Sequence, residues 1–285
     1  ASMPSTARHG NCGARVASHS ATGAQSARAR PPAARGFNRT RAGSCRAIKA
    51  SSRAARAWRA PGIVGAAALH TRLPVRYLRA MQQNRSIAFF DEQFRRQAGD
   101  ALALNPFEAL ALPYLHGEVL DFGCGLGNLA FAAARQGCKV AALDASAAAI
   151  EHVRSRAAAE HLAVSASLAD LRDYPLDADF DCIVCIGLLM FFDCPTALRQ
   201  LSQLQSHVRP GGIAAINVLV EGTTFLDMFD PAGHCLFAPS TLQRAFAGWQ
   251  VEQSESSDFA APRGTLKRFS TIIARKAGGH LAARA

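Results

Sequence analysis

The residues best suited to chemistry stand in one short segment, Val119-Leu120-Asp121-Phe122-Gly123-Cys124-Gly125-Leu126-Gly127-Asn128. An apolar run ends near Asp121, three glycines follow at alternate positions, and an Ala-rich stretch comes next. Glycine permits a tight turn and lets a ligand approach main-chain N–H groups, and the start of a helix favours an anionic group. Dinucleotide enzymes use G-x-G-x-x-G, but here the last position is Asn128 and the third glycine is Gly127. The pattern therefore argues against a dehydrogenase.

Further acidic residues follow the predicted strands downstream. Asp144 ends the second strand, 21 residues after Gly123. Asp170 follows a short third strand, and Gly187 follows the apolar run Phe180–Ile186. In an open parallel sheet ligands bind outside the carboxyl ends of the strands. We therefore expect these residues to line one site.

These segments together resemble the class I S-adenosylmethionine-dependent methyltransferases over about residues 115–220. The resemblance implies that Asp121 and the Gly123–Gly127 turn hold the methionine moiety and that Asp144 accepts the ribose hydroxyls. It also implies that Asp170 contacts the adenine amine and that the end of the fourth strand lies by the reactive methyl. The implied cofactor-binding residues are Asp121, Gly123, Cys124, Gly125, Gly127, Asn128, Asp144, Ala145, Asp170, Leu171, Ile186 and Gly187.

Alternating strands and helices predict the fold class. The pattern is that of an α/β protein with a doubly wound, mostly parallel sheet, and the resemblance gives it seven strands and a Rossmann-like methyltransferase form. Two strands near the end of the chain, with only a loop between them, predict an antiparallel hairpin at one edge. We expect a helical cover over residues 81–114, a methyltransferase domain over 115–277 and a tail over 278–285.

The substrate end resembles the tellurite-resistance branch of small-molecule methyltransferases. The likeness rests on Asn105-Pro106-Phe107-Glu108, on Gly248-Trp249, and on the basic segment Lys267-Arg268-Phe269…Ala274-Arg275-Lys276. The branch implies positive charge for a small oxyanion, although the expected His-Arg pair near Ser256–Ser257 is missing. We predict a small molecule or small oxyanion as acceptor and assign no catalytic residue. The candidate substrate or covering residues are Phe90, Gln93, His234, Cys235, Arg263, Lys267 and Arg268.

Charge is distributed unevenly along the chain. Residues 1–80 hold 15 of the 32 Lys and Arg and none of the 21 Asp and Glu, so the other residues carry 17 basic and 21 acidic groups. The leader, rich in Ala, Arg, Ser, Gly and Pro, predicts disorder. It is either a transit-like peptide or an over-extended gene start before Met81, and a basic RNA-binding arm is a weaker alternative. The remaining residues do not predict a nucleic-acid partner.

Other classes of site and location receive little support. No apolar run reaches the roughly 18 residues that span a bilayer. Cys124, Cys138, Cys182 and Cys185 fall in or beside predicted strands, and we interpret the cysteines as reduced thiols in a cytoplasmic protein, or in an organelle if the leader is a transit peptide. Cys182 and Cys185 point to opposite faces of a strand, so no metal site is predicted.

The oligomeric state stays open. The alternatives to a small-molecule methyltransferase are a nicotinamide-dependent oxidoreductase, a non-catalytic cofactor-binding protein and an RNA methyltransferase.

Overall fold

The computed structural model describes residues 84–97, 103–231 and 233–278. The expected basic leader of residues 1–80 lies outside the described residues, and so does the expected tail after residue 278. No helix among the described residues is long and apolar enough to cross a membrane.

The described residues form a seven-stranded sheet in the order β3-β2-β1-β4-β5-β7-β6. The strands are β1 (Glu118–Phe122), β2 (Lys139–Asp144), β3 (Val164–Leu168), β4 (Phe180–Ile186), β5 (Val208–Leu219), β6 (Gln250–Ala261) and β7 (Thr265–Arg275). The first five strands pair in parallel, and β7 lies antiparallel between β5 and the edge strand β6. The predicted doubly wound, mostly parallel seven-stranded sheet with an antiparallel edge hairpin is confirmed.

Six α-helices accompany the sheet in the described part of the chain. They are α1 (Arg85–Gln97), α2 (Pro106–Ala111), α3 (Asn128–Arg135), α4 (Ala147–Ala159), α5 (Cys194–Ser206) and α6 (Thr241–Ala245). Short 3-10 turns cover Leu112–Tyr114, Leu189–Phe191 and Pro262–Gly264. Helices α1 and α2 precede the sheet, and the others follow the strands in alternation.

Apolar side chains cover both faces of the sheet. Because side chains alternate along a strand, Val119 and Leu120 enter opposite cores. Leu129 of α3 and Val153 of α4 join the core that contains Val119. Helices α5 and α6 cover the other face, where Leu201 packs in the core that contains Leu120. Helices on both faces explain why the central strands read as continuous apolar runs.

Side-chain caps set the starts of the helices nearest the site. The Ser146 hydroxyl accepts a hydrogen bond from Ala149 N at the start of α4 (3.1 Å). Asn105 and Glu108 form a reciprocal capping box around the first turn of α2. These caps satisfy backbone donors that the helices leave free and fix where each helix begins.

The predicted extent of several elements was wrong. Val208 was expected on the apolar stripe of the fifth helix, but α5 ends at Ser206 and Val208 begins β5. The buried Val208 side chain belongs to the same core that α5 covers, so its burial suits either element. Both strands of the edge hairpin are also longer than predicted, because mostly exposed polar residues from Gln250 onward continue β6 along β7.

The cysteine interpretation needs one correction. Cys124, Cys138, Cys182 and Cys185 are free and buried, as expected, but Cys194 forms a disulfide with Cys235 across 41 residues of sequence. The bond joins the start of α5 to the loop that follows β5. The pairing was missed because neither cysteine lies in a strand and their approach depends on how the two loops fold together.

Candidate functional site

A cavity of about 330 Å³ opens at the carboxyl ends of the parallel strands. Its walls come from the turn after β1, the ends of β2, β3 and β4, and helices α1 and α2. The volume falls within the roughly 300–1,000 Å³ of small-molecule sites. Apolar rings and a few polar groups line it, as in most pockets that orient a ligand.

Asp121 is a buried carboxyl group in the wall of this cavity. It lies near the end of β1 and is 6% exposed. Burial raises its pKa to about 8, and the charges of Glu108 and Asp144 add to that rise. Among the described residues no group donates a hydrogen bond to it. An unpaired buried carboxyl group of this kind favours a cationic ligand beside it.

Asp144 ends the neighbouring strand β2 and also lines the cavity. Its Oδ2 accepts a hydrogen bond from Gly125 N at 2.8 Å, and its Oδ1 accepts one from Ser146 N at 2.8 Å. Burial raises the pKa of this carboxyl group against the lowering effect of those bonds. Asp144 therefore ties the glycine turn to β2 and still faces the cavity.

The glycine turn has a backbone shape that larger residues resist. Gly123 and Gly125 have φ of +91° and +50°, in the left-handed region. A Cβ on Gly123 would lie 2.9 Å from Leu188 Cδ2, and one on Gly125 would lie 3.2 Å from Phe94 Cζ. The missing side chains thus keep the cavity open beside the first strand.

Several N–H groups of the turn are already engaged. Gly123 N and Cys124 N both donate to the Leu143 carbonyl, at 2.8 and 3.0 Å. Gly127 N donates to the Cys124 carbonyl at 2.9 Å. Helix α3 begins at Asn128, and the N–H groups of its first turn have no carbonyl earlier in the helix to which they could donate. These N–H groups are therefore the main-chain donors left for an anion.

Asp170 has a partner that the sequence analysis did not anticipate. Arg172 Nη2 and Nε approach its two carboxylate oxygens at 2.6 and 2.9 Å. The hydrogen bonds and charge of Arg172 outweigh burial and lower the pKa of Asp170. Both residues line the cavity, so the expected adenine contact would share its carboxylate with a guanidinium.

Helix α1 lies against the same cavity and is attached near its start and at its middle. Asp91 Oδ1 accepts hydrogen bonds from Ser146 Oγ at 2.6 Å and from Ala148 N at 3.0 Å. Asp230 N donates to Ser86 Oγ at 2.9 Å. Phe90 and other apolar residues of α1 line the cavity, so the helix forms one of its walls.

The structure brings most of the predicted cofactor residues together. The cavity is lined by Asp121, Gly123, Cys124, Gly125, Asn128, Asp144, Ala145, Asp170, Leu171, Ile186 and Gly187, and by Phe90 of the predicted substrate residues. Gly127 lies instead against α4, where a Cβ would be 2.7 Å from Val153 Cγ2. Its left-handed φ of +75° serves the turn into α3.

The remaining predicted substrate residues lie outside the cavity lining. Gln93 is half-buried on α1, and His234 stacks on Phe229 with ring centroids 4.6 Å apart. Cys235 is buried in its disulfide. The three basic residues have partners elsewhere: Arg263 pairs with Asp227, Lys267 lies over the Phe225 ring, and Arg268 pairs with Asp258.

Sequence reasoning missed several residues that line the cavity. They are Asn84, Ser86, Ile87, Phe94, Gln97, Asn105, Glu108, Leu126, Leu129, Ser146, Arg172, Leu188, Phe191 and Phe192. One signal was available for Glu108, because an Asn followed three residues later by Glu is a capping box that places the Glu on the first helical turn. The others depend on how α1 and the loop after β4 pack.

Comparison with known proteins places this geometry in context. Residues 119–212 match the model of a methyltransferase domain family. Over 106 residues the chain is 35% identical to a malonyl-[acyl-carrier protein] O-methyltransferase of Salmonella typhimurium, covering 37% of this chain and 40% of that protein. It is 29% identical over 171 residues to hemagglutinin 1 of Eikenella corrodens, covering 56% and 55%. The chain thus spans about half the length or less of these curated relatives.

Solved structures agree on the fold. The crystal structure of TehB from Haemophilus influenzae superposes with a TM-score of 0.54 at 19% identity, covering 66% of this chain and 67% of that chain. An N-methyltransferase, NodS from Bradyrhizobium japonicum, solved with S-adenosyl-L-homocysteine, gives 0.50 at 17% identity, covering 66% and 98%.

Proposed function

We propose that this chain, which contains a class I S-adenosylmethionine-dependent methyltransferase domain, transfers a methyl group from S-adenosylmethionine to a small molecule. One observation carries the proposal. Asp121 and Asp144 lie on adjacent strand tips with the glycine turn beside them, and all three border one open cavity.

The residues present fit the cofactor. Asp121 offers a buried carboxyl group without a hydrogen-bond donor, which suits the amino group of the methionine moiety. The start of α3 suits its carboxylate, because the first N–H groups of a helix favour an anion. Asp144 at the tip of β2 suits the ribose hydroxyls, and the glycine turn leaves space where side chains would intrude.

The cofactor supplies an activated methyl carbon on a sulfonium, so the protein needs mainly to orient an acceptor and exclude water. The rings of Phe90, Phe94 and Phe191 line the cavity, and an aromatic ring attracts a positive charge that lies over its face. Helix α1, held by hydrogen bonds from Ser146 and Asp230, forms one wall of the site. The cavity has the size of a small-molecule site, which supports a small acceptor.

Ligand binding by the full chain tests the proposal. We expect S-adenosylhomocysteine to raise the melting temperature and to bind in calorimetry, whereas NADH has no effect. Asp144→Ala should weaken S-adenosylhomocysteine binding about 10–100-fold, because two hydrogen bonds to a carboxylate are lost. Asp173→Ala is the matched control, since Asp173 is exposed and pairs with Arg199 outside the cavity lining. A response to NADH and none to S-adenosylhomocysteine would overturn the proposal.

A further inference from the structure

The charged groups lining the cavity are mostly acidic. Glu108, Asp121, Asp144 and Asp170 line it, and Arg172 is the one cationic side chain among the described lining residues. Arg172 already forms a fork with Asp170, at 2.6 and 2.9 Å, so those two charges offset each other. The other three carboxyl groups face the cavity without a cationic partner there.

Glu108 and Asp121 form an uncompensated pair. Their interaction raises the pKa of Asp121, in addition to burial, and burial also raises the pKa of Glu108. Asp121 is 6% exposed and receives no hydrogen bond from a described residue. A buried carboxyl group and a half-buried one that repel one another are stabilised by positive charge near both.

The cofactor accounts for three of the four acidic groups and leaves Glu108. In the proposed function Asp121 faces the amino group, Asp144 the ribose and Asp170 the adenine. Glu108 lies on α2, outside the strand tips, and its Oε2 accepts a hydrogen bond from Asn105 N at 2.8 Å. No described group bonds to its Oε1, so that oxygen can receive a proton or an N–H group.

The described lining holds no basic side chain for an oxyanion besides Arg172, which is already paired with Asp170. Arg263, Lys267 and Arg268 contact Asp227, the Phe225 ring and Asp258 respectively. None of the three lines the cavity. A small dianion would meet carboxylates there instead of the guanidinium and ammonium donors that anion sites use.

Resting on the proposed function, we infer that the methyl acceptor is a small amine and that Glu108 binds its ammonium group and removes one proton from it. The proton passes from nitrogen to Glu108 Oε1 and then to water. The freed lone pair forms the new N–C bond to the methyl carbon, and the C–S bond breaks with its electron pair remaining on sulfur. The products are the methylated amine in its ammonium form, S-adenosylhomocysteine and the proton released to water.

The test compares acceptors with the full chain at saturating S-adenosylmethionine. Benzylamine, 2-phenylethylamine and putrescine are offered beside tellurite, selenite and benzoate, and products are read by mass spectrometry. Calorimetry then measures binding of each amine to the protein saturated with S-adenosylhomocysteine. We expect methylation and binding of an amine and neither for the oxyanions or benzoate.

The Glu108→Gln variant distinguishes an effect on the acceptor from an effect on cofactor binding. Gln is also favoured at this capping-box position, so α2 should keep its start. We expect kcat/KM for the amine to fall about 100-fold at neutral pH and to recover as the pH rises toward the pKa of the free amine. The dissociation constant of S-adenosylhomocysteine should stay within about twofold, and Glu151→Gln, an exposed carboxylate on α4, should change neither value.

The outcomes separate the two proposals. If S-adenosylhomocysteine binds but no amine binds or is methylated, the amine assignment fails and the methyltransferase proposal stands. If Glu108→Gln weakens S-adenosylhomocysteine binding as much as turnover, Glu108 serves the cofactor and its assigned role is wrong. If S-adenosylhomocysteine does not bind the wild-type chain, the proposed function itself fails.

Discussion

At the scale of single residues, Asp121 sets the electrostatic character of the cavity. Its pKa of about 8 in the folded chain lies above the 3.8 of a free Asp, so the folded state retains a proton that the unfolded state has lost. Its contribution to stability is therefore present at low pH and is lost as pH rises from about 4 to about 8. A cationic ligand beside Asp121 would reverse this penalty.

The raised pKa of Asp121 predicts that the affinity for S-adenosylhomocysteine depends on pH. In the proposed function the ammonium group of S-adenosylhomocysteine pairs with ionised Asp121, so the affinity of this ligand for the wild-type chain should rise about tenfold between pH 6.5 and 8. Asp121→Asn should bind more weakly at pH 8 and show little change over that range. Calorimetry at four pH values measures both, and an equal slope in the two proteins would contradict the assignment.

Sequence reasoning located some of these residues and not others. Asp121, Asp144 and Asp170 could be predicted because strand ends converge at one edge of a parallel sheet. Glu108 and Arg172 could not, since α2 reaches the cavity through tertiary packing and Arg172 turns back on a residue two positions earlier. The basic residues Arg263, Lys267 and Arg268 suggested an anion site, but neighbouring Asp and Phe side chains contact them.

At the scale of elements, the turn between β1 and α3 determines how closely α4 can approach. Gly127 has a left-handed φ of +75°, and a Cβ there would lie 2.7 Å from Val153 Cγ2. Gly137 is likewise left-handed at +94°, but nothing lies within 4 Å of its Cβ position. A substitution at Gly137 therefore introduces backbone strain alone, whereas one at Gly127 introduces backbone strain and a steric clash.

Alanine at each position should reveal that difference. Gly137→Ala should cost about 1–2 kcal/mol of unfolding free energy from backbone strain alone. Gly127→Ala should cost a further 1–3 kcal/mol, roughly, because the new methyl overpacks against α4. Urea denaturation measures both, and Val153→Ala should recover part of the loss only in the Gly127→Ala background. Equal costs at both sites would show that the contact with Val153 is unimportant.

The disulfide joins two elements that contribute no described residue to the cavity lining. Cys194 begins α5 directly after the loop containing Phe191 and Phe192, and Cys235 lies in the loop after β5. Closing a segment of 41 residues stabilises a chain mainly by limiting its unfolded states.

Breaking this bond should lower stability by up to about 4 kcal/mol on the chain-entropy estimate. Cys194→Ser is the suitable variant because Cys194 is exposed, whereas Cys235 is buried. The oxidised wild-type chain should lose stability in dithiothreitol and the variant should not, as read by thermal unfolding. An identical response of both proteins to the reductant would mean that the bond does not form in solution.

At the scale of the whole molecule, charge separates the chain into two regions. Residues 1–80 carry 15 basic and no acidic residues, while the rest has 17 basic and 21 acidic residues. The cavity is formed by described residues from 84 onward. We therefore expect a chain that starts at Met81 to bind S-adenosylhomocysteine as tightly as the full chain in calorimetry. A large loss of affinity on deletion would show that the leader takes part in the site.

The alternation of elements allowed the sheet, its parallel core and its edge hairpin to be predicted. Right-handed crossovers of β-α-β units restrict the topologies that such a sheet can adopt, and this constraint does not depend on side-chain detail. The position of α1 was harder to infer, because hydrogen bonds from Ser146 and Asp230, far apart in sequence, attach it.

The crystal structure of the full chain with S-adenosylhomocysteine tests the central claim most directly. The account predicts the amino group of the ligand beside Asp121, its carboxylate at the start of α3 and its ribose hydroxyls on Asp144. A ligand bound elsewhere, or turned so that its ribose lies away from the tip of β2, would contradict it.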